Sequence, residues 1–314
     1  YQNQKPIGRI SAQIDESHLN SHNDKTGFFG FLEARDDKEI FRQLSMLAEN
    51  WLKERGMLRI SGPFSLNINQ EVGILVEGFE SDPYFMMPNS LSYYGPYLEE
   101  LGYRKEMDLY AYLIKTNFKP PKIMSSLIER MPKTTTIRPI NKKDVSNELE
   151  ILRDIFNDAW SGNWGFIPFE KEEFRQIGRE MLMVIPESFI QIASVDGIPA
   201  AFIVMLPNIN DVLKDLDGKL WPLGWLKLIY RLKIKYPRTA RIPLMGVRKK
   251  FHDTRSGPGL ALTLIDALRK PAVLNLIEDV EMSWILENNN AMSNIIKILG
   301  GHRSKTYRVY EKTL

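Results

Sequence analysis

At 314 residues, with 43% apolar and 26% charged residues, the chain has the make-up of a folded globular protein with room for two hydrophobic cores. The absence of cysteine excludes disulfides, thiolate nucleophiles and thiolate metal sites, and a formal charge of +3 demands no nucleic-acid partner. No apolar run reaches the length of a membrane span and no signal-peptide pattern is present, so a cytoplasmic protein is expected.

The first half begins at Tyr1 rather than Met and is strand-like already from Ile7 to Ile14, so it reads as lacking its natural beginning. Gly27 to Glu33 reads as a strand and Asp37 to Arg55 as a helix. Ile40, Phe41, Leu44, Leu47, Ala48, Trp51 and Leu52 give that helix one apolar face. Gly56 stops it and Met57 opens the next strand. Residues 117–134, with Pro120, Pro121 and Pro132, read as a linker containing a helical turn or two.

The second half, 135–314, opens with a strand from Thr135 to Ile140. Helices follow from Asp144 to Trp160 and from Glu170 to Val184. Strands at Phe189 to Val195 and Ala200 to Leu206 are joined by the hairpin turn Asp196-Gly197. Residues 207–240 read as an insertion in which Trp221, Trp225, Leu228, Ile229 and Leu232 lie near helical spacing among lysines and arginines. Domain packing or a substrate lid is the expected use of that stripe, over a membrane-surface helix. Strands at Ile242 to Val247 and Glu281 to Leu286 then flank a helix. Leu98 to Arg104 in the first half matches Ile296 to His302 in the second. Each segment runs into a closing strand, with Tyr110 and Tyr112 in one and Tyr307 and Tyr310 in the other, so the chain reads as a tandem duplication.

The loop that opens the helix after Ile242 to Val247 is Thr254-Arg255-Ser256-Gly257-Pro258-Gly259-Leu260-Ala261. Two glycines before a helix N-terminus let backbone N–H groups converge on an anion, and the helix dipole adds to the attraction. The corresponding turn in the first half, Glu33-Ala34-Arg35-Asp36-Asp37, has no glycine and three carboxylates. A pyrophosphate would be repelled there.

This order of elements resembles the GNAT acetyltransferase superfamily. The second half is similar to it throughout, and the first from about Ile7 to Leu113 without its opening elements. The resemblance implies an α/β (α+β) fold of two GNAT-like domains, each a mixed, largely antiparallel sheet flanked by helices. Residues 1–116 would be a non-catalytic support and 135–314 an acyl-CoA-binding domain. The tandem pattern resembles a bacterial two-domain group of that superfamily.

In the family's Gln/Arg-x-x-Gly-x-Gly/Ala loop, Gly257 and Gly259 match while Thr254 departs, with Arg255 one place late. The resemblance implies acetyl-CoA or another acyl-CoA on residues 254–261, with Asn289 beside the pantetheine arm. It also places the thioester carbonyl on the backbone of Met245, Gly246 and Val247. Ile296 stands where many members have a proton-donating Tyr, which leaves Tyr310 as a substitute. Glu281, Glu287 and His252 are candidates for the general base. Asn163, Trp160 and Trp164 would wall the site of a small-molecule or peptide amine. No metal spacing occurs, and neither a nucleic acid nor a membrane span is expected. The reading is direct acyl transfer in a ternary complex. Its rivals are a degenerate GNAT module that binds without turnover and a Fem-type aminoacyltransferase.

Overall fold

The apolar periodicities become the following elements in the computed structural model, which describes residues 1–314 apart from 234, 235, 253 and 255. The first half runs β1 (Gly8–Gln13), α1 (Glu16–His22), β2 (Thr26–Ala34), α2 (Lys38–Lys53), β3 (Arg59–Gly62), β4 (Phe64–Ser65), β5 (Glu71–Val72), β6 (Ile74–Glu77), α3 (Tyr94–Glu100) and β7 (Arg104–Lys115). Helix α4 (Lys122–Glu129) follows. The second half runs β8 (Thr136–Pro139), α5 (Val145–Trp160), α6 (Lys171–Leu182), β9 (Ile190–Val195), β10 (Ile198–Pro207), α7 (Asn210–Leu213), α8 (Gly224–Lys233), β11 (Thr239–Val247), α9 (Ser256–Leu274), β12 (Asp279–Leu286), α10 (Asn290–Ile298) and β13 (His302–Thr313). The β9–β10 turn is as expected, with Asp196 and Gly197 both at positive φ.

One sheet carries the order β1-β2-β3-β13-β7-β12-β11-β10-β9-β8, with β6 also paired to β13. Two neighbouring pairs are parallel, β2/β3 and β11/β12, and the helices that cross them over are α2 and α9. The remaining pairs along the path are antiparallel, so the sheet is mixed and mostly antiparallel.

The two half-sheets are joined by an exchange of closing strands. Strand β7, from the first half, pairs with β12 of the second, while β13 pairs with β3 and β6 of the first. The two exchanged strands pair with each other at the centre. They are twelve residues each and have almost the same pattern of buried and exposed positions. Alternation fixes which side chains face the core; it does not say which neighbour a strand will take.

Side-chain parity separates the two faces of the second half. Met205, Ile242, Val280 and Met282 lie under α9, with Ile265 and Leu268 against them. Val204, Leu206 and Arg241 lie on the other face, under α5 and α6. Helix α4, about two turns as expected, buries Met124 completely and packs on α9.

Candidate active site

The parallel pairing of β11 and β12 runs from Thr239 opposite Asp279 to Ile242 opposite Met282 and ends there. Pro243 follows, and proline has no N–H with which to extend a ladder. Beyond it β11 stays with β10 as far as Val247, and β12 stays with β7 as far as Leu286. The strands therefore part and open a cleft of about 530 Å³.

Backbone polarity at the fork follows from two side-chain contacts. Trp160 Nε1 donates to the Met245 carbonyl at 3.3 Å, and His252 Nε2 lies 2.6 Å from the Val247 carbonyl. The C=O and N–H of a strand residue share one edge, so the N–H groups of Met245 and Val247 face the cleft while those of Gly246 turn toward β10.

Residues 254–261 divide among different tasks. Gly257, Pro258 and Ala261 line the cleft. A Cβ on Gly257 would meet the Phe251 carbonyl oxygen at 2.5 Å, so only glycine lets the loop close there. Gly259 serves packing instead, since its Cβ would meet Met131 Sδ at 2.4 Å beside the carbonyl of Leu127. Leu260 is fully buried in the core. The Thr254 hydroxyl donates to the Phe251 carbonyl at 2.8 Å and accepts from the Ser256 N–H at 3.2 Å, which ties the loop to itself. Ser256 begins α9, and Arg255 lies outside the described residues.

Opposite the loop, Asn289 lines the cleft and caps α10, its Oδ1 accepting from the Met292 N–H at 3.1 Å. Asn163 and Trp160 also line it. Trp164 does not: it stacks on Phe64, with ring centroids 6.3 Å apart, at a separate cavity of the first half.

The carboxylates expected from sequence are placed differently from one another. Glu287 is engaged at the surface, 2.5 Å from Lys105 Nζ, and also accepts from the Asp108 N–H. It does not line the cleft. Glu281 is fully buried, and its Oε1 accepts a 2.6 Å hydrogen bond from Ser283 Oγ. Ser283 lines the cleft and accepts in turn from Arg241 Nε at 2.8 Å. Burial raises the Glu281 carboxyl above its ordinary range, while the Ser283 bond and the Arg241 charge pull the other way. Burial likewise lowers the Arg241 guanidinium to about 10, which leaves it cationic at neutral pH.

Tyr310 sits in the core of the first half, fully buried among Phe41, Tyr94 and Leu98 and bonded to Glu99. Strand exchange carries it there, away from the cleft. Ile296 is fully buried on the inner face of α10.

Sequence reasoning passed over Ser283, which separates Glu281 from the cleft. It also passed over an apolar cavity beyond Trp160 and Trp284. A serine two residues after a glutamate in a strand shares its face, and that was the available signal. Among the described residues, no group of three or more His, Cys, Asp or Glu gathers as a metal site, and no helix is long and apolar enough to cross a membrane.

No family model matches the chain. It is 47% identical over 309 residues to Protein YghO of Escherichia coli (strain K12), covering 98% of this chain and 79% of that protein. It is 42% identical over 312 residues to a bacterial ceramide synthase of Caulobacter vibrioides (strain NA1000 / CB15N), covering 99% of this chain and 81% of that protein. Among solved structures, a GCN5-related N-acetyltransferase from Sphaerobacter thermophilus superposes with a TM-score of 0.56 at 12% identity, over 98% of this chain and 76% of that one. A tandem GNAT protein from the clavulanic acid biosynthesis pathway superposes with a TM-score of 0.55 at 11% identity, over 100% of this chain and 81% of that one.

Proposed function

Because the chain belongs to the family of these two bacterial relatives and has the fold of the GCN5-related N-acetyltransferases, we propose that it transfers an acyl group from acyl-CoA to a long-chain amine of the sphingoid-base class. The observation that carries this reading is the fork between β11 and β12. It turns two backbone N–H groups, from Met245 and Val247, into a cleft that the N-terminal turn of α9 also lines. Pyrophosphate suits the positive end of that helix, and a thioester carbonyl suits the paired N–H groups as charge develops on its oxygen. The substrate class rests on the ceramide synthase relative, since a ceramide is an N-acylated sphingoid base.

The amine nitrogen attacks the thioester carbon, a C–N bond forms, the C–S bond breaks, and CoA leaves as its thiolate. The amine must lose a proton. Ser283 passes it to Glu281, whose carboxyl is held above its ordinary range by burial and so is the stronger base. The thiolate takes its proton from water, in keeping with Ile296 at the family's usual tyrosine place.

A thiol-release assay with palmitoyl-CoA and sphinganine, with the amide identified by mass spectrometry, tests the reading. Amine-dependent release is expected. Release that is independent of amine, or no release with acyl chains from two to eighteen carbons, would overturn it.

A further inference from the structure

Behind the cleft lies a second, mostly apolar cavity of about 140 Å³ between α5, α6 and the sheet. The two cavities share Trp160, Pro243 and Trp284 as a common wall. Trp160 and Trp284 meet edge to face there, with centroids 5.7 Å apart. Leu152, Phe156, Ile177 and Met181 form the helical side, and the cavity continues past Val204 to Leu206, where β10 ends. An ordinary core at this point would be closed by interdigitating side chains. Here an apolar space instead adjoins the reacting centre.

We propose that this chamber holds the first few carbons of the hydrocarbon chain of one of the two reactants, with the two tryptophans at its entrance. The inference rests on the acyl-transfer reading for its chemistry but not for its binding. Two pairs of substrates distinguish the sources: butylamine against hexadecylamine with acetyl-CoA, and acetyl-CoA against palmitoyl-CoA with butylamine. Wild-type kcat/KM should rise at least tenfold with chain length in one pair. Ile177→Trp, on a partly buried helix position, should remove most of that gain and leave the short-chain reaction unchanged. Met181→Trp, about one turn further along α6, should do the same and serves if Ile177→Trp folds poorly. No chain-length gain in either pair, or a gain that survives in a folded filling variant, would overturn the chamber. If no turnover occurs at all, hexadecylamine that raises Tm in the wild type and not in Ile177→Trp keeps the chamber and sinks only the transferase reading. The absence of such a shift sinks both.

A different observation carries a second inference. The insertion between β10 and β11 leaves Leu220, Trp221, Leu223, Trp225, Leu226, Ile229 and Tyr230 exposed, Trp221 at 83%. Their exposure departs from domain packing, one of the two uses expected from sequence. Residues 208–238 hold seven Lys and Arg against three Asp, and Lys214 and Arg238 pair with Asp82 and Glu278 outside the segment, which leaves a local excess of two positive charges. Val273, Leu274 and Leu276 are also exposed, at the same end of the sheet, because the Glu278 N–H bonds the Arg238 carbonyl just before β11 begins.

Aromatic and aliphatic side chains set among cations fit the interface of an anionic bilayer. We infer that this end of the molecule docks on an anionic lipid surface. Flotation with phosphatidylglycerol-containing vesicles, against pure phosphatidylcholine, tests it. Binding to the anionic vesicles is expected, with a loss of at least tenfold in Trp221→Glu/Trp225→Glu and unchanged turnover of short soluble substrates. No flotation of the wild type, equal flotation of the double variant, or preferential binding of nucleic acid would overturn it.

Discussion

The two halves present the same pair of parallel strands bridged by a helix, and they treat the fork between those strands in opposite ways. In the second half, β11 and β12 part at Pro243 and the space between them is open. In the first half, β2 and β3 are paired from Thr26 opposite Arg59 to Phe28 opposite Ser61, and the chain then crosses over β2. Phe64 closes that gap so tightly that a Cβ on Gly30 would come within 1.8 Å of its carbonyl oxygen. The helix starts differ in the same sense. Asp37 caps α2 by accepting from the Glu39 N–H at 2.9 Å, and tyrosines 94 and 97 donate to Glu33 and Asp36. One of the helix N–H groups that would receive a pyrophosphate, that of Glu39, is already satisfied from within. The cavity that the first half does possess, near His18, Arg59 and Glu106, has its charges paired with one another. The first half thus lends one strand, β7, to the sheet of the second.

Separating the halves should have the largest effect. Because β7 and β13 are exchanged, neither 1–116 nor 135–314 expressed alone should fold, and the intact chain should unfold in one transition. Agreement of calorimetric and van't Hoff enthalpies checks this, and two resolved transitions would count against it.

Next in size is Ser256→Asp at the start of α9. Aspartate suits a first helical turn, so the fold should persist. A carboxylate about 4 Å from pyrophosphate costs on the order of 4 kcal/mol at an effective dielectric near 20, close to a thousandfold in affinity. Calorimetry should show one CoA per chain in the wild type, almost none in this variant, and still one in Asp37→Ser. Gly257→Glu is a poorer probe, because any side chain there strikes the Phe251 carbonyl.

Glu281→Gln should lower kcat about 10²-fold with little change in KM. In the wild type, activity should fall as pH drops through the Glu281 pKa, at a midpoint above the ordinary carboxylate range, and that limb should vanish in the variant. The stability term has the opposite sense. A buried acid with a raised pKa stabilises the fold most below its unfolded value, and the contribution is lost as pH rises through the folded one. Denaturation midpoints across pH 4–8 should therefore show a smaller loss on the alkaline side for Glu281→Gln.

Tyr310→Phe should have the smallest effect. It removes the bond to Glu99 in the first half, for about 1 kcal/mol of stability, and leaves kcat unchanged. A hundredfold loss of kcat would bring Tyr310 back as a proton donor.

Much of this architecture is legible in the sequence, because side-chain period and helix boundaries are local properties. The helix from Asp144 to Trp160 and the Asp196-Gly197 turn follow from neighbours a few residues apart, whereas α9 starts at Ser256 rather than at Leu260 and takes Gly257 and Gly259 into its first turn. The acidic turn at Glu33 to Asp37 likewise announces its own cap. What only the tertiary structure decided depends on contacts between distant segments. Two closing strands with nearly the same burial pattern can pair at home or across, and exchange puts Tyr310 in one core and Tyr112 in the other. Gly259 looks like a phosphate glycine until α4 is laid against it. Glu281 and Glu287 look equivalent along the chain, yet one is buried behind Ser283 and the other is held at the surface by Lys105. Burial, and with it the pKa of a carboxyl group, is set by whatever the fold brings alongside.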